Sequence, residues 1–244
     1  STCMACSAAN PCSSGCCNET TGACVVDCPS CQTCDGGVCV ADSSQNREIC
    51  AGSGSATSIC CNGTCWDGCC DADGEPASCL AFVTGNPQLT GNLGGLDGAD
   101  AICQARANAN ARPGTYAAWL SIGSGVDESP ATGRFRHAGQ PYMRVDGVTI
   151  AEDWADLISG TLDAPLNVTE TGTTLSGNTL ILTNTLPEGM VGGSIPGADC
   201  QDWTTSMLGD ANVGNSAHSD SNWSVNGSGL CNVPIGRLYC FQQT

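Results

Sequence analysis

Apolar positions are spread unevenly along this chain. Up to Cys79, cysteines alternate with Gly, Ser, Thr, Asn and Asp; beyond it, apolar runs of strand and helix length alternate with Gly-rich turns. Ten of the eleven aromatic residues follow Cys79, and only Trp66 precedes it. The run CLAFVTG (79–85) has strand length and is closed by Gly85-Asn86-Pro87. In 94–114, Leu96, Ala99, Ile102, Cys103 and Ala107 recur at helical spacing. Asp97 and Asp100 sit in the favourable first turn and Pro113-Gly114 ends the run, which predicts an amphipathic helix. TYAAWLSI (115–122) reads as a buried strand, WADLIS (154–159) as a short helix or turn, TLILTNT (179–185) as a strand and GRLYCFQ (236–242) as a closing strand. The expected class is α+β.

The first third lacks the apolar residues of an ordinary core. Without cross-links, its conformational entropy would exceed what burial offsets, so disulfides are expected to hold it. Seventeen of the 21 cysteines lie from Cys3 to Cys79, a density that belongs to an oxidising compartment. An imperfect repeat, Cys12, Cys16-Cys17, Cys24, Cys28 and then Cys50, Cys60-Cys61, Cys65, Cys69-Cys70, suggests two knot-like units, 1–40 and 41–78, before a larger domain at 79–244. Asn and Gly in the CC segments read as hairpin turns. The connectivity is open. Cys28, Cys31 and Cys34 have a spacing also used for iron–sulfur ligation, and Cys3 with Cys6 offers a second C-x2-C pair for zinc. The surrounding CC pairs favour structural bridges over both. Neither histidine, His137 or His218, stands in a haem-attachment motif.

Charge narrows the partners. There are 24 acidic residues against seven arginines and no lysine, a formal net charge of -17. Nucleic acid, heparin-like polymers and anionic lipid need clustered cations, so no nucleic-acid partner is expected. No run of about 18 apolar residues occurs, so no membrane insertion is expected either. The chain begins at Ser1 without Met or a leader, as a mature exported product would. The expected location is extracellular, secreted or at the cell surface.

Four segments carry a family resemblance: TGNLGGLDGADAICQARANANARPGTYAAWLS (90–121), WADLISGTLDAPL (154–166), DCQDWTTSMLG (199–209) and GRLYCF (236–241). Together they resemble the endostatin module found at the ends of certain collagens, a variant of the C-type-lectin-like fold, and a family of bacterial secreted domains related to it. The likeness spans nearly all of 79–244. It implies an outer disulfide Cys103–Cys240 and an inner one Cys200–Cys231. The arm then keeps an odd number of cysteines, with Cys79 placed to link it to the domain's first strand. An odd total leaves one cysteine to a free thiol or to a bridge with another chain.

The likeness also sets expectations about ligands. Calcium-dependent lectins resemble one another in a Glu-Pro-Asn or Gln-Pro-Asp loop and a Trp-Asn-Asp triplet. Here Tyr142 follows Gln140-Pro141 and Ser224-Val225 follows Trp223, so that sugar site is not expected. Endostatin's basic face and His-rich zinc site have no counterpart. Arg134, Arg136 and Arg144 beside His137 read as a solvated, charge-balancing hairpin or as a small carboxylate or sulfate site.

No cofactor is required. The best local calcium candidate is Asp71, Asp73 and Glu75, which alternate around Gly74; the competing reading is an ordinary acidic turn. Asp199, Asp202, Asp210 and Asp220 are a weaker second set. No G-x-S-x-G or H-E-x-x-H occurs, and Asp153 with Asp156, the one pair suited to glycoside hydrolysis, falls on a predicted helix, so no enzyme is expected. Asn18, Asn62, Asn167, Asn222 and Asn226 head glycosylation sequons.

These readings point to a secreted, non-enzymatic structural or adhesive protein that self-assembles into a filament or matrix through its cysteine-rich arm. Its partner is then itself, as a homopolymer or through an interchain disulfide. The alternatives are a monomeric lectin-like module that binds an extracellular protein or glycan, and a secreted knot-type inhibitor fused to a carrier domain.

Overall fold

A computed structural model describes residues 17–18, 23–24, 31–35, 38–48, 50, 58–85, 89–123, 129–193, 195, 198–234 and 236–244. Cys3, Cys6, Cys12, Cys16 and Cys28, and with them much of the N-terminal repeat, lie outside the described residues. The chain divides into two compact units, Ser1–Ala77 and Ser78–Thr244.

The first unit is a set of antiparallel two-stranded ribbons: β1 (Cys17–Asn18) with β2 (Ala23–Cys24), β3 (Gln32–Asp35) with β4 (Val38–Ala41), β5 (Ile59–Cys61) with β6 (Thr64–Trp66), and β7 (Cys69–Cys70) with β8 (Pro76–Ala77). Asn62-Gly63 closes the β5–β6 hairpin with φ of 41° and 78°, the left-handed pair that such a tight turn requires. A Cβ on Gly63 would also lie 2.7 Å from that of Ala41, so glycine is needed there twice over. Cys31–Cys60, Cys50–Cys65 and Cys61–Cys70 bridge these ribbons. Among the described residues of this unit, the buried apolar side chains are Cys31, Cys50, Cys60, Cys61, Cys69, Cys70 and the single aliphatic Ile59. Sulfur therefore supplies the interior that apolar residues do not. Cys31–Cys60 and the bond from Gln32 Nε2 to the Gly63 carbonyl tie the chain before residue 40 to the chain after it.

The second unit mixes strands with a few helical turns. Its main sheet runs β10 (Tyr116–Ala118), β16 (Tyr239–Gln242), β9 (Cys79–Val83), β11 (Tyr142–Arg144), β12 (Thr149–Ala151); β9 and β11 are parallel and the other pairs antiparallel. A smaller antiparallel sheet has the order β13 (Leu180–Leu182), β14 (Asp210–Asn215), β15 (Ser228–Leu230). Helix α1 (Gly95–Ala109) buries Ala99, Cys103 and Ala107, a stripe at four-residue spacing. These side chains are short, so α1 lies close enough for Cys103 to bond Cys240 of β16. The one-turn helix α2 (Trp154–Leu157) is capped by Asp153, whose Oδ1 accepts from the Asp156 amide at 2.8 Å.

The interior on the other side of the sheet is aromatic. Trp119, fully buried, meets Trp223, Phe135, Phe241 and Trp154 at ring-centroid distances of 4.9, 5.7, 5.7 and 6.3 Å. Its indole Nε1 donates to Ser224 Oγ at 2.8 Å, because a buried N–H must find an acceptor. The TLILTNT run does not continue as strand beyond Leu182. Thr183 and Thr185 turn into this buried polar network: Thr183 Oγ1 donates to the Ser224 carbonyl, and the hydroxyls of Ser121 and Thr185 share a bond, each at 2.8 Å.

The segment around Trp203 winds into a turn of the opposite hand to an α-helix. Cys200, Gln201, Asp202 and Trp203 have φ of 54°, 55°, 55° and 60°, a left-handed turn without a single glycine. Such a turn costs roughly 1–2 kcal/mol per residue and persists only where its surroundings hold it. Here the Cys200–Cys231 disulfide anchors one end, and Trp203, buried, donates from Nε1 to the Ser121 carbonyl at 2.9 Å. The Trp203 carbonyl in turn accepts from the amides of Leu93 and Gly94.

No helix among the described residues is long and apolar enough to cross a membrane.

Candidate functional site

The segment Asn167–Leu175 is a polar hairpin. The Leu175 amide donates to the Asn167 carbonyl at 2.7 Å, the Thr169 amide to the Thr173 carbonyl at 2.9 Å, and Gly172, at φ 82°, closes the turn. Its backbone joins the main sheet where Val83 bridges Thr169. At the tip, the hydroxyls of Thr169, Thr171 and Thr173 form a ladder with O–O distances of 2.9 and 3.0 Å.

Glu170 breaks this polar pattern by pointing inward, with 3% of its surface exposed. A buried carboxylate needs donors and nearby cations. Its Oε2 accepts from the Gly85 amide at 2.6 Å, and Arg106 Nη1 of α1 lies 3.8 Å from Oε1. A Cβ on Gly85 would fall 2.7 Å from Oε1, so a side chain there would push the carboxylate from this position. Arg112 holds the same residue by its backbone, donating from Nε and Nη2 to the Glu170 carbonyl at 3.2 and 3.0 Å.

Between the hairpin tip, the C-terminal half of α1 and the approach to β16 lies a cleft of about 360 Å3. Gly85, Arg106, Glu170 and Arg237 line its floor and walls, with Thr169, Thr171, Thr173 and Leu175 along the hairpin side. Arg237 is nearly buried, and its Nη1 donates to the Thr84 carbonyl at 2.8 Å. Arg106 keeps 30% of its side chain exposed. Two guanidinium groups, one carboxylate and three hydroxyls thus face one small space.

The residues that sequence spacing singles out lie elsewhere. Asp71, Asp73 and Glu75 form a self-contained turn: Asp71 Oδ1 accepts from the amides of Asp73 and Glu75 at 3.0 and 2.9 Å, and Asn62 Nδ2 donates to Glu75 Oε1. Among the described residues, one set of three or more Cys, His or acidic side chains brings its ligand atoms within 4.8 Å of one another, and it is Cys31, Cys50 and Cys65. Those sulfurs are bound in the Cys31–Cys60 and Cys50–Cys65 disulfides. Cys31 is therefore not a thiolate that iron–sulfur or zinc ligation could use, because a disulfide sulfur is not such a ligand. Asp199 and Asp220 act as caps, accepting from the amides of Asp202 and Asn222. Asp156 Oδ2 likewise accepts from the Glu152 amide, so both acids of the Asp153 and Asp156 pair serve backbone groups.

Arg134, Arg136 and Arg144 do not gather into one cationic site. Arg134 pairs with Asp100 at 2.7 Å, Arg136 donates to the Gln243 carbonyl, and Arg144 binds Asp146, the Pro165 carbonyl and Asn167. His137 stacks on Trp154 with centroids 4.0 Å apart and planes 5° from parallel. The Arg144 fork holds the Asp146 carboxyl below its usual range.

The two cysteine pairs of the second unit are Cys103–Cys240 and Cys200–Cys231, and Cys39, Cys69 and Cys79 are also disulfide-bonded. Of the sequons, Asn62 and Asn226 are exposed. Asn167 is half-buried and accepts from Arg144, and Asn222 is half-buried with its hydroxyl partner Ser224 inside the protein. The side chain of Asn18 lies outside the described residues.

Spacing did not reveal the cleft, since Arg106, Glu170 and Arg237 stand 64 and 67 positions apart along the chain, as their numbers show. The one local signal was an isolated acid in the hydroxyl-rich run VTETGTT (168–174). No protein-family model and no curated protein matches the chain.

Proposed function

We propose that this is a secreted, non-enzymatic extracellular protein of the structural or adhesive kind, whose second unit belongs to the endostatin or C-type-lectin-like class and binds a polar ligand in the cleft beside Glu170. The observation that carries the binding reading is the cleft itself. Buried charge and nearly buried guanidinium are costly to assemble, and a ligand-sized hollow lined by polar groups of fixed direction is the usual form of a recognition site. The extracellular reading is supported by the disulfides of both units. The lectin-like reading is supported by the four sequence segments and by the nesting of Cys200–Cys231 inside Cys103–Cys240.

A glycan array probed with the oxidised full chain and with Thr173→Trp tests the reading. Thr173 is exposed on the cleft side of the hairpin, so a bulky ring there obstructs the space without entering the core. Binding by the parent chain and its loss in the variant, at an unchanged melting temperature, is the expected result. Binding that survives Thr173→Trp removes the cleft from the account.

The second reading, self-assembly through the cysteine-rich unit, is favoured by the odd total of 21 cysteines, which leaves one without a partner inside this chain. Disulfide-linked oligomers on a nonreducing gel that collapse to monomer on reduction support it; monomer alone with one titratable thiol ends it.

A further inference from the structure

We infer that the cleft takes a carboxylate-bearing sugar residue of the uronic-acid class, an inference that rests on the binding reading above and names its ligand. The molecule as a whole carries a formal charge of -17, so it repels anions almost everywhere. Around Glu170 the balance reverses. Three of the seven arginines meet there: Arg106 and Arg237 line the cleft and Arg112 grips the Glu170 carbonyl. Set against the single acid among the described lining residues, these guanidinium groups give the lining a net positive charge.

The donors are unequally committed. Arg106 stands 3.8 Å from its carboxylate, an ion-pair separation beyond hydrogen-bond reach, and it keeps its exposed edge. Its N–H fork matches a second carboxylate in the bidentate manner that lysine does not reproduce. Glu170 shows the complementary deficit. Oε2 is engaged by the Gly85 amide, whereas among the described residues Oε1 has only that long contact and retains acceptor capacity. A hydroxyl suits Oε1; another carboxylate does not.

The threonine ladder adds the third element. Three linked hydroxyls exchange donor and acceptor roles freely, and a ligand polyol extends such a chain at either end. Among the described residues Leu175 is the single apolar lining side chain and offers no pocket for peptide side chains, so a peptide carboxylate fits less well than a sugar acid.

The test uses the oxidised full-length chain with three probes, sodium glucuronate, glucose and sodium acetate, titrated by isothermal calorimetry and by displacement of array-bound protein. Glucuronate is expected to bind at least about tenfold more tightly than either glucose or acetate, since each lacks one of the two matched features. Arg106→Gln is expected to weaken glucuronate about tenfold or more while leaving glucose unchanged. A Thr171→Val, Thr173→Val double variant weakens glucuronate and glucose but not acetate, and serves as the test should Arg106→Gln fail to fold.

Acetate binding as tightly as glucuronate overturns the inference, because the hydroxyls then contribute nothing. Glucose binding as tightly as glucuronate overturns it too, because charge then contributes nothing. If Thr173→Trp abolishes array binding but glucuronate does not displace the protein, the ligand class fails and the binding site stands. If Thr173→Trp leaves array binding intact, the site itself fails.

Discussion

Arg112 fastens the tip of a hairpin 58 positions away: its Nε and Nη2 donate together to the backbone carbonyl of Glu170. Arg112 leaves α1 just before Pro113, so this contact joins the end of the helix to the wall of the cleft. Loss of both charge-assisted bonds in Arg112→Met is expected to lower stability by about 1–3 kcal/mol in urea unfolding. Arg112→Lys is expected to restore little of it, since an ammonium lacks the fork. Amide exchange at Thr169, held by the hairpin, rises in both variants.

The two bridges of the second unit differ in the length of chain they close, 137 against 31 residues. In the chain-entropy picture, removing Cys103–Cys240 as a paired Ala variant costs about 5 kcal/mol and removing Cys200–Cys231 about 3.7 kcal/mol. The second variant is expected to fall short of its entropic figure, because opening the bridge lets the left-handed turn at Cys200–Trp203 relax. A loss in Cys200→Ala, Cys231→Ala of about 3.7 kcal/mol or more, as measured by denaturant unfolding, counts against such restraint.

Two buried tyrosines make a controlled comparison. Burial lifts both phenols well above their usual range, so both stay neutral at ordinary pH. Tyr239 donates to the Trp223 carbonyl at 3.0 Å, whereas the Tyr116 hydroxyl is buried without a hydrogen-bond partner among the described residues. Tyr239→Phe is expected to cost about 1 kcal/mol, and Tyr116→Phe to be neutral or stabilising, since it deletes an unsatisfied polar atom. Urea midpoints of the two variants decide this.

Asp146 titrates below an ordinary carboxyl because Arg144 donates to it. A depressed folded-state value means that this pair stabilises the fold above the unfolded pKa, and that its contribution disappears as pH falls through the folded one. The window therefore lies on the acid side of 3.8, and the contribution is small because the group is largely exposed. In Arg144→Met the Asp146 midpoint is expected to move up toward 3.8, as read by carboxyl carbon NMR.

All seven cationic side chains are arginines, and each has an internal partner: Arg47 with the Asp71 carbonyl, Arg106 and Arg112 with Glu170, Arg134 with Asp100, Arg136 with Gln243, Arg144 with Asp146 and Arg237 with Thr84. Cleavage after arginine requires local unfolding of these tethered segments. The oxidised protein is expected to stay intact under trypsin while the reduced chain is cut; rapid cutting of the oxidised form at Arg106 or Arg237 contradicts the packing described for the cleft.

Much of the element pattern was legible in the residues. Ala99, Cys103 and Ala107 mark the inward stripe of α1, CLAFVTG marks β9, and the scarcity of apolar residues before Cys79 marks a unit held by sulfur. These are local signals, because periodicity and composition act over a few neighbouring residues. The left-handed turn at Trp203 was not legible, since four non-glycine residues at positive φ contradict every local preference and exist only because a disulfide and a buried indole hold them. The end of β13 at Leu182 has a related reason: Thr183 bonds the Ser224 carbonyl and Thr185 the Ser121 hydroxyl, partners that reach them only in three dimensions.

The sequence by itself determined helix α1 and the apolar strands β9, β10, β13 and β16 in outline, the cysteine-stapled character of the first unit and the acidity of the whole. Only the tertiary structure decided where the few cations go. Arg106, Arg112 and Arg237 belong to separate segments, and burying Glu170 among them lowers a desolvation cost that no single segment meets alone. A cleft of this kind is a product of long-range electrostatics and close packing, and neither leaves a period along the chain.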